Sequence, residues 1–494
     1  MLENKYKQMT ISEHIKLYDK IIPQDHFLRK LKENVDFSFV NKLVAKEYCE
    51  NFGRPAKEPE LMYKLLFLQT KDLLSDREVV ERAKTDMAYK YFLDLNPEDD
   101  VPSSSLLSIF RNTKIKEEKI LEELLRETVK QAIEKGIIKS NSIIVDSAHT
   151  NSRNEKKTPT QILRDLSKKL RKEIYNKEPD IKEKIPNKPD DAETLEVEIA
   201  YTEELVKIIR SEITEKTDEK IKRRLEQVEK MLKDEHLKEI QSAVDTDARA
   251  GYKSEDNSFF GYKNHVAMTP ERITTALEIT SGEAPDGKFL QNLVEKSQKA
   301  GIEVKEVIGD TAYSGRENLE YGKKQGIAII SKLNPVISNS KKQNDGFEYN
   351  KDADTLRCPV GELAIKKQYR AECVKKDGTK RNATYEYTFD ENKCSKCEQR
   401  EKCPLNKQKH KTYMISLMSN THKEQAKFQE TEYFKNKLRH ERYKIEAKNA
   451  ETKVTHGLAQ AKSVGLTCMR IQSYLTHITT NLKRIIKKMD EVPA

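Results

Sequence analysis

The chain has 494 residues, 36% of them hydrophobic and 35% charged, with a mean hydropathy of −0.83. This length exceeds what one hydrophobic core usually supports, so we expect several domains or one core with large insertions. Lysine and arginine outnumber acidic residues by 92 to 82, which favours a polyanionic partner but is also typical of surfaces that are basic for solubility. Because no stretch approaches the roughly 18 apolar residues of a membrane helix, we expect a cytoplasmic protein that does not use a membrane.

The first 136 residues are predicted to form an all-helical N-terminal domain. Pro59 stands at a helix start, and Leu65 belongs to a leucine series at helical spacing. Ser75 and Glu78 have the spacing of a capping box at the start of a further helix. Short helices joined by tight breaks are typical of a DNA-binding helix-turn-helix and equally of a small helical bundle.

A β-branched run ends in a carboxylate in residues 137–153. Residues 142–145 read Ser-Ile-Ile-Val and lead directly to Asp146, which predicts a buried strand with Asp146 at its end. Residues 154–243 then repeat leucine and isoleucine every three or four positions amid dense lysine and glutamate. This pattern predicts an inserted helical hairpin with a solvated charged face.

Strand patterns resume in residues 244–334. Two strands, a helix from about residue 286 to 300, and an apolar strand from 304 to Asp310 are predicted, followed by a further helix and strand. Residues 335–422 form a lysine- and cysteine-rich insertion, and residues 423–494 are predicted to be helices that complete the core. The fold class is therefore α/β, a mixed sheet flanked by helices.

Three carboxylates on separate elements suit two-metal phosphoryl transfer. Mg²⁺ prefers oxygen ligands, and two ions roughly 3.5–4 Å apart can stabilise the attacking and leaving oxygens of a phosphodiester. Asp146 and Asp310 end strands, while Arg442, Glu446 and Lys453 follow one another at i, i+4 and i+11 of a predicted helix over about 424–461. At 100° per residue the later two lie about 40° and 20° from the first, so one helical face carries a carboxylate between two cations.

These motifs resemble those of the DDE transposases of bacterial insertion sequences. The similarity rests on IIVDSAHT around Asp146, VIGDTAYSG around Asp310, and the R-x3-E-x6-K series Arg442, Glu446 and Lys453. Further matches are GRPAKEPELM, LLSDREVVERA, DARAGYKSEDNSFFGYKNH and HGLAQAKSVGL, so the resemblance extends over nearly the whole chain in the expected order.

The resemblance implies a ribonuclease-H-like core that binds Mg²⁺ or Mn²⁺ through Asp146, Asp310 and Glu446. Arg442 and Lys453 would then contact phosphates at the ends of the element. Related transposases carry tyrosine three residues before the arginine, whereas this chain has Arg439 there, so a base-stacking role does not transfer to this position. Arg439 itself and Lys263, which belongs to the GYKNH motif on an adjacent strand, are further candidate DNA contacts.

A group of cysteines is a candidate structural zinc site. Cys394, Cys397 and Cys403 have knuckle-like spacing, and Cys358 is the candidate fourth ligand of a tetrahedral Zn²⁺. Cys373 and His410 are alternative fourth ligands, and free thiols are the competing interpretation.

The leading functional hypothesis is a transposase that binds the terminal inverted repeats of its insertion sequence and catalyses Mg²⁺-dependent strand cleavage and strand transfer. Double-stranded DNA, as element ends and target, is then the partner. Binding two ends implies a homodimer on DNA, and the protein would work at the bacterial nucleoid. The alternatives are a non-catalytic DNA-binding protein derived from such a transposase and an unrelated ribonuclease-H-like nuclease.

Overall fold

The computed structural model describes residues 13–49, 55–188, 194–215, 217–234, 237–254, 257–335, 346–350, 352–374, 380–408 and 411–491. His410, one alternative zinc ligand, lies outside these residues. Within the described part, the fold is a mixed α/β structure with a helical N-terminal region. None of its helices combines the length and apolar character needed to cross a bilayer.

The N-terminal region is a set of short helices that share a core. Ser75 caps the fifth helix by accepting the Glu78 backbone N–H while the Glu78 carboxylate accepts the Ser75 N–H, as the sequence predicts. The fourth helix begins at Pro59 and buries nearly its whole length. The helices are α1 (Glu13–Ile21), α2 (Phe27–Asn34), α3 (Phe39–Leu43), α4 (Pro59–Lys71), α5 (Asp76–Thr85), α6 (Met87–Phe92), α7 (Ser104–Thr113) and α8 (Glu118–Glu134).

A mixed sheet occupies the centre of the molecule. Its strands are β1 (Ser142–Asn151), β2 (Arg249–Ser254), β3 (Asn257–Met268), β4 (Thr274–Ser281), β5 (Glu306–Ile308) and β6 (Ala328–Ile330). The order runs β2-β3-β1-β5-β6, with β4 also paired to β3. β3 is antiparallel to β1 and β4, whereas β5 is parallel to β1 and β6 is parallel to β5. The apolar run 142–145 is buried, which explains why β1 is a central strand.

The hydrophobic core is continuous from the N-terminal helices to the sheet. One cluster of buried side chains includes Leu65 of α4, Leu124 of α8, Val145 of β1 and Leu277 of β4. The long last helix, α19 by its place in the chain (Leu466–Asp490), packs against α4, α8 and β4. The sheet is thus covered on this side by helices from both ends of the chain.

The helical insertion has a hydrophobic core of its own. Its helices, in chain order, are α9 (Pro159–Lys177), α10 (Pro179–Lys182), α11 (Leu195–Glu212) and α12 (Glu219–Leu232). Leucine and isoleucine from α9, α11 and α12 form a buried cluster separate from that of the sheet. The predicted periodicity therefore builds a helical unit whose packing is local.

The cysteine-containing segment folds into small sheets around an aromatic cluster. Its elements are β7 (Glu348–Asn350), β8 (Thr355–Arg357), β9 (Lys366–Arg370), β10 (Cys373–Val374), β11 (Lys380–Arg381), β12 (Thr384–Thr388), α15 (Glu391–Ser395) and β13 (Thr412–Ser416). Antiparallel β13, β12 and β9 form the largest of these sheets. Phe347, Tyr387 and Phe389 are buried beneath it.

Helices between the sheet elements and before α19 complete the fold. They are α13 (Leu290–Lys299), α14 (Arg316–Gln325), α16 (Asn420–Phe428), α17 (Glu432–Glu441) and α18 (Tyr443–Ala450). The prediction of one helix over about 424–461 is wrong, because the chain breaks near Thr431, where Thr431 caps α17, and turns again at Arg442. A π-helical turn at Glu451–Thr455 then replaces regular α-helix around Lys453.

Candidate active site

The register of two parallel strands places Asp146 and Asp310 side by side. Ile144 of β1 pairs with Ile308 of β5, and each aspartate follows two residues later. Neighbouring strands lie about 4.8 Å apart, so residues at equal height on them are adjacent. The β-branched runs that form the strands therefore place both carboxylates at the same height of the sheet. The prediction that Asp146 ends its strand is wrong, because β1 continues to Asn151 through its pairing with β3, whereas Asp310 does follow the last residue of β5.

A tight turn fixes Asp310 after β5. The backbone at Gly309 passes so close to the Tyr313 ring that a Cβ there would lie 2.7 Å from a ring carbon. Asp310 caps the following 3-10 turn, Thr311–Tyr313, by accepting the Ala312 N–H at 2.9 Å. Ser331, directly after β6, donates its hydroxyl to the Asp310 carbonyl. Glycine, cap and serine together hold the carboxylate at the strand end.

Burial and like charge both act on these carboxylates. Burial raises the pKa of Asp146 to about 6, and the negative charges of Asp310 and Asp286 act in the same direction, while Arg442 opposes them. Burial also raises the pKa of Asp310, again against the lowering effect of Arg442. Buried carboxylates of like charge favour a bound cation or proton, which is the electrostatic situation of a metal site.

The C-terminal helices bring the third predicted carboxylate to the neighbourhood. Asn449 of α18 donates its side-chain Nδ2 to Asp146 Oδ2 at 3.0 Å. Glu446 precedes Asn449 by three residues on the same helix face, and its exposed side chain makes no hydrogen bond or ion pair with any described residue. The structure thus brings Asp146 and Asp310 together, within range of the Arg442 charge, and ties the helix of Glu446 to Asp146, while the Glu446 side chain is exposed to solvent.

The predicted DNA-binding cations occupy different surroundings. Lys453 Nζ lies 3.2 Å from Nδ1 of His149 on β1. Lys263 Nζ donates to Asp286 Oδ1 and to the Ala284 carbonyl, both at 2.9 Å. Arg439 is exposed in the last turn of α17. Lys263 is therefore hydrogen-bonded to Asp286, Lys453 contacts β1 at His149, and Arg439 lies on the surface.

Asp286 is a site residue that the sequence reasoning missed. The sequence predicts only that Asp286 starts a helix, whereas the structure has a 3-10 turn there, Asp286–Phe289, before α13. Its negative charge raises the pKa of both Asp146 and Asp310. The sequence contains one signal for Asp286. It follows β4, and β4 pairs with β3, the strand that carries the candidate DNA contact Lys263.

Several buried polar atoms around the carboxylates have no hydrogen-bond partner in the described part of the chain: the Tyr313 hydroxyl, His265 Nδ1 and Asn449 Oδ1. Such atoms are costly unless a ligand or water satisfies them. Carboxylate and other oxygen atoms are the type of ligand that Mg²⁺ and Mn²⁺ prefer. Even so, the described residues hold no group of three His, Cys, Asp or Glu side chains arranged to hold a metal ion, so Glu446 would have to turn inward to complete the set.

The cysteines converge without forming a ligand set. Cys358, Cys394, Cys397 and Cys403 line one cavity of about 180 Å³, and the alternative ligand Cys373 lies exposed on β10. Burial raises the pKa of the Cys394 thiol, and the neighbouring thiols add to this effect. Within the described ranges, these thiols are not arranged as a group that could hold a metal ion. Thiols are suitable ligands for Zn²⁺, but their arrangement here is not that of a zinc site.

Two family models match the chain, one in its N-terminal part and one in its C-terminal part. Residues 16–113 match the family described as "Transposase domain (DUF772)", and residues 357–486 match the "Transposase DDE domain". The search of curated proteins and the search of solved structures gave no match. The second matched segment contains Arg442, Glu446 and Lys453, and the first contains the helices α2 to α7. The chain is accordingly a member of the DDE transposases of insertion sequences.

Proposed function

We propose that this transposase binds the terminal inverted repeats of its own insertion sequence and catalyses metal-dependent cleavage and strand transfer at Asp146, Asp310 and Glu446. The observation that carries the proposal is the parallel register that sets Asp146 beside Asp310. The Asn449–Asp146 hydrogen bond supports it further, since it ties the helix that carries Glu446 to the first carboxylate.

A ribonuclease-H-like catalytic core is part of this proposal. The strand order β4-β3-β1-β5-β6, with three antiparallel strands followed by two parallel ones, supports it. The predicted domain division, 1–136, 137–153, 154–243, 244–334, 335–422 and 423–494, belongs to the same proposal. In that division, β1 and residues 244–334 would form the core, which the C-terminal helices complete.

Mg²⁺ or Mn²⁺, when bound, would activate the attacking oxygen and stabilise the leaving oxygen of the phosphodiester. Asp146 and Asp310 would hold the ions, with Glu446 joining them from α18. Arg442 reduces the repulsion between the two aspartates, and its charge suits the phosphate at the element end. Lys453 and Arg439 would contact flanking phosphates, and Lys263 would act from the adjacent strand.

Two displacements of the same kind would follow at this site. In the first, water attacks phosphorus at the element end, the P–O3′ bond breaks, and the element strand leaves as a 3′-hydroxyl. In the second, that hydroxyl attacks a phosphodiester of the target and displaces the target's own 3′-oxygen. Each step forms one P–O bond and breaks one, so no further reactant is needed.

The partner of the protein would be double-stranded DNA. Because an element has two ends, we propose a homodimer on DNA, working in the cytoplasm at the nucleoid. The N-terminal helices are candidates for the reader of the repeat, since their matched family is a transposase domain.

A structural Zn²⁺ at Cys358, Cys394, Cys397 and Cys403 is a separate part of the proposal. The shared cavity and the C-x2-C spacing support it. Elemental analysis of the purified protein tests it: we expect about one zinc per chain in the wild type and none after joint replacement of Cys394 and Cys397 by serine. Zinc-free wild type would refute this part.

The catalytic proposal is tested with a duplex that carries the inverted repeat flanking the gene. With Mg²⁺, the wild type should nick the duplex at the element end, whereas Asp310→Ala should bind it equally well and leave it uncut. The control Asp100→Ala changes an exposed aspartate of the N-terminal region and should cut normally. Equal cutting by wild type and Asp310→Ala refutes the assignment, and end binding without cutting by the wild type identifies a non-catalytic DNA-binding protein.

A further inference from the structure

The proposed catalytic set does not include Asp286, whose negative charge acts on both Asp146 and Asp310. We propose that Asp286 is a fourth metal-binding carboxylate of the site, which binds the cation through Oδ2 while Lys263 holds Oδ1. This inference rests on the proposed function and names a ligand that the resemblance does not supply.

The backbone places Asp286 next to Asp310. The 3-10 turn that begins at Asp286 packs against the 3-10 turn that follows Asp310. Contact is so close that a Cβ on Gly287 would lie 2.4 Å from the Ala312 carbonyl oxygen, which explains why glycine follows the aspartate. Asn318 connects the two turns by donating Nδ2 to the Gly287 carbonyl at 2.8 Å and to the Tyr313 carbonyl at 3.3 Å.

The two oxygens of Asp286 have different surroundings. Oδ1 accepts from Lys263 Nζ at 2.9 Å and lies 3.7 Å from Nδ1 of His265. His265 is itself fixed, because its ring stacks on Phe289 with centroids 4.2 Å apart. Oδ2 makes no hydrogen bond or ion pair with a described residue, and the side chain is only 22% exposed. A carboxylate with one oxygen anchored and the other open is oriented for a ligand.

Buried polar atoms with unmet hydrogen bonds point to a polar ligand at this place. The Tyr313 hydroxyl is buried and lacks a partner in the described part of the chain. Besides burial, the charges of Asp146, Asp286 and Asp310 each raise the pKa of this hydroxyl. His265 Nδ1, fully buried and likewise without a hydrogen bond among described residues, faces Asp286. A hydrated cation would supply water oxygens for such groups.

The charged groups around Asp146, Asp310 and Asp286 leave a net negative charge that a cation could balance. Asp146, Asp310 and Asp286 carry three negative charges, and Arg442 and Lys263 are the cations whose fields act on Asp310. A buried carboxylate without a compensating charge is strongly disfavoured. Because the three aspartates are not arranged as a ligand set in the described part of the chain, a divalent ion would have to draw their side chains together, and its charge would then remove this imbalance. Inward rotation of Glu446 would add a further ligand.

The test measures Mn²⁺ binding to the full-length protein without DNA by calorimetry. Asp286→Asn keeps the shape and an oxygen for Lys263 but removes the charge, so we expect its Mn²⁺ dissociation constant to rise at least about tenfold. Glu283→Gln is the matched control, because Glu283 lies three residues earlier and, among the described residues, accepts a hydrogen bond only from the Ser281 hydroxyl. It should bind Mn²⁺ like the wild type, and thermal unfolding of both variants without metal should match the wild type.

A cysteine variant distinguishes ligation from mere positioning. Thiolates bind Mn²⁺ in preference to Mg²⁺, so Asp286→Cys should cut the element end with Mn²⁺ and lose cutting with Mg²⁺. A positioning residue would lose both equally. Unchanged Mn²⁺ affinity in Asp286→Asn, or no Mn²⁺ uptake by the wild type, overturns the inference. The proposed function stands in either case if Asp310→Ala alone abolishes cutting, and it falls if the wild type does not cut.

Discussion

Asn449 on α18 donates its side-chain amide to Asp146 Oδ2 on β1, 303 residues earlier in the chain. This hydrogen bond sets the position of the helix that carries Glu446 relative to the first carboxylate. A neutral donor can orient an ionised aspartate without competing for a metal as a cation would. Asn449 therefore acts as a positioning residue for Asp146.

Replacing Asn449 by alanine should weaken the response to metal more than the binding of DNA. Losing a partner that orients a metal ligand typically costs about 10- to 100-fold in metal affinity or activity. We expect the Mg²⁺ concentration for half-maximal cutting to rise by about that factor. Asn436→Ala, at an exposed asparagine of α17, is the control and should behave like the wild type. Equal Mg²⁺ dependence in all three proteins would contradict the role of Asn449.

The sequence predicts the elements that carry the carboxylates, because their patterns are local. Asp146 and Asp310 follow short β-branched runs, and the structure has strands there. Asp286 was missed because its significance depends on contacts across a hairpin and between two 3-10 turns. The break at Arg442 and the π-turn before His456 were missed for a similar reason, since helical periodicity continues through them.

Local sequence patterns also do not predict which helices cover the sheet. Periodicity shows which face of α4, α8 or α19 is apolar, and it does not show what that face packs against. In the structure these helices and the sheet share one buried cluster, whereas the hairpin insertion has a separate one. The exposure of Glu446 also follows from tertiary packing, because Ile445 and Lys448 are buried on the other side of α18.

Asp146→Asn should stabilise the metal-free protein. Burial and two neighbouring carboxylates raise the pKa of Asp146 to about 6, so the charged form destabilises the fold at neutral pH. We expect the free energy of unfolding at pH 7.5 in EDTA to increase by roughly 1–2 kcal/mol. In the wild type, stability should fall as pH rises from about 4 to about 6, the window between the ordinary and raised pKa, and this fall should be weaker in the variant.

Mg²⁺ provides the matched comparison for that variant. Adding it should raise the melting temperature of the wild type, since a ligand bound only by the folded state stabilises it, and should have little effect on Asp146→Asn. A variant that melts below the wild type in EDTA would show that the carboxylate is held by stronger favourable contacts than the structure contains.

The ion pair between Asp76 and Arg111 should make the N-terminal region acid-sensitive. Burial alone would raise the pKa of Asp76, but hydrogen bonds and charge from Arg111 outweigh this effect and lower it. A carboxylate with a lowered pKa stabilises the fold above its ordinary pKa, and this contribution is lost as pH falls below about 4. Asp76→Asn should cost about 2 kcal/mol at pH 7 and flatten the pH dependence of unfolding below 4.

Denaturant unfolding followed by circular dichroism at several pH values measures both effects. Glu81→Gln is the control, because Glu81 pairs with Lys84 on the exposed face of α5 and such pairs contribute about 0–1 kcal/mol. Equal losses of stability in the two variants, with the same pH dependence of unfolding below pH 4, would contradict this prediction. The ion pair that joins α5 to α7 would then contribute no more than an exposed pair.

Lys448→Met should stabilise the protein, since the ammonium group of Lys448 is buried and has no hydrogen-bond partner in the described part of the chain. Burial lowers the pKa of Lys448 to about 7, and the nearby charge of Glu451 offsets this only in part. Methionine keeps a similar shape without the charge, so we expect the free energy of unfolding to rise by about 1–3 kcal/mol. Lys444→Met removes an ion pair with Glu441 on the same helix and should lower stability by at most about 1 kcal/mol. Stability lost rather than gained in Lys448→Met, as measured by denaturant unfolding, would mean that the buried ammonium has a polar partner in solution that favours its charged form.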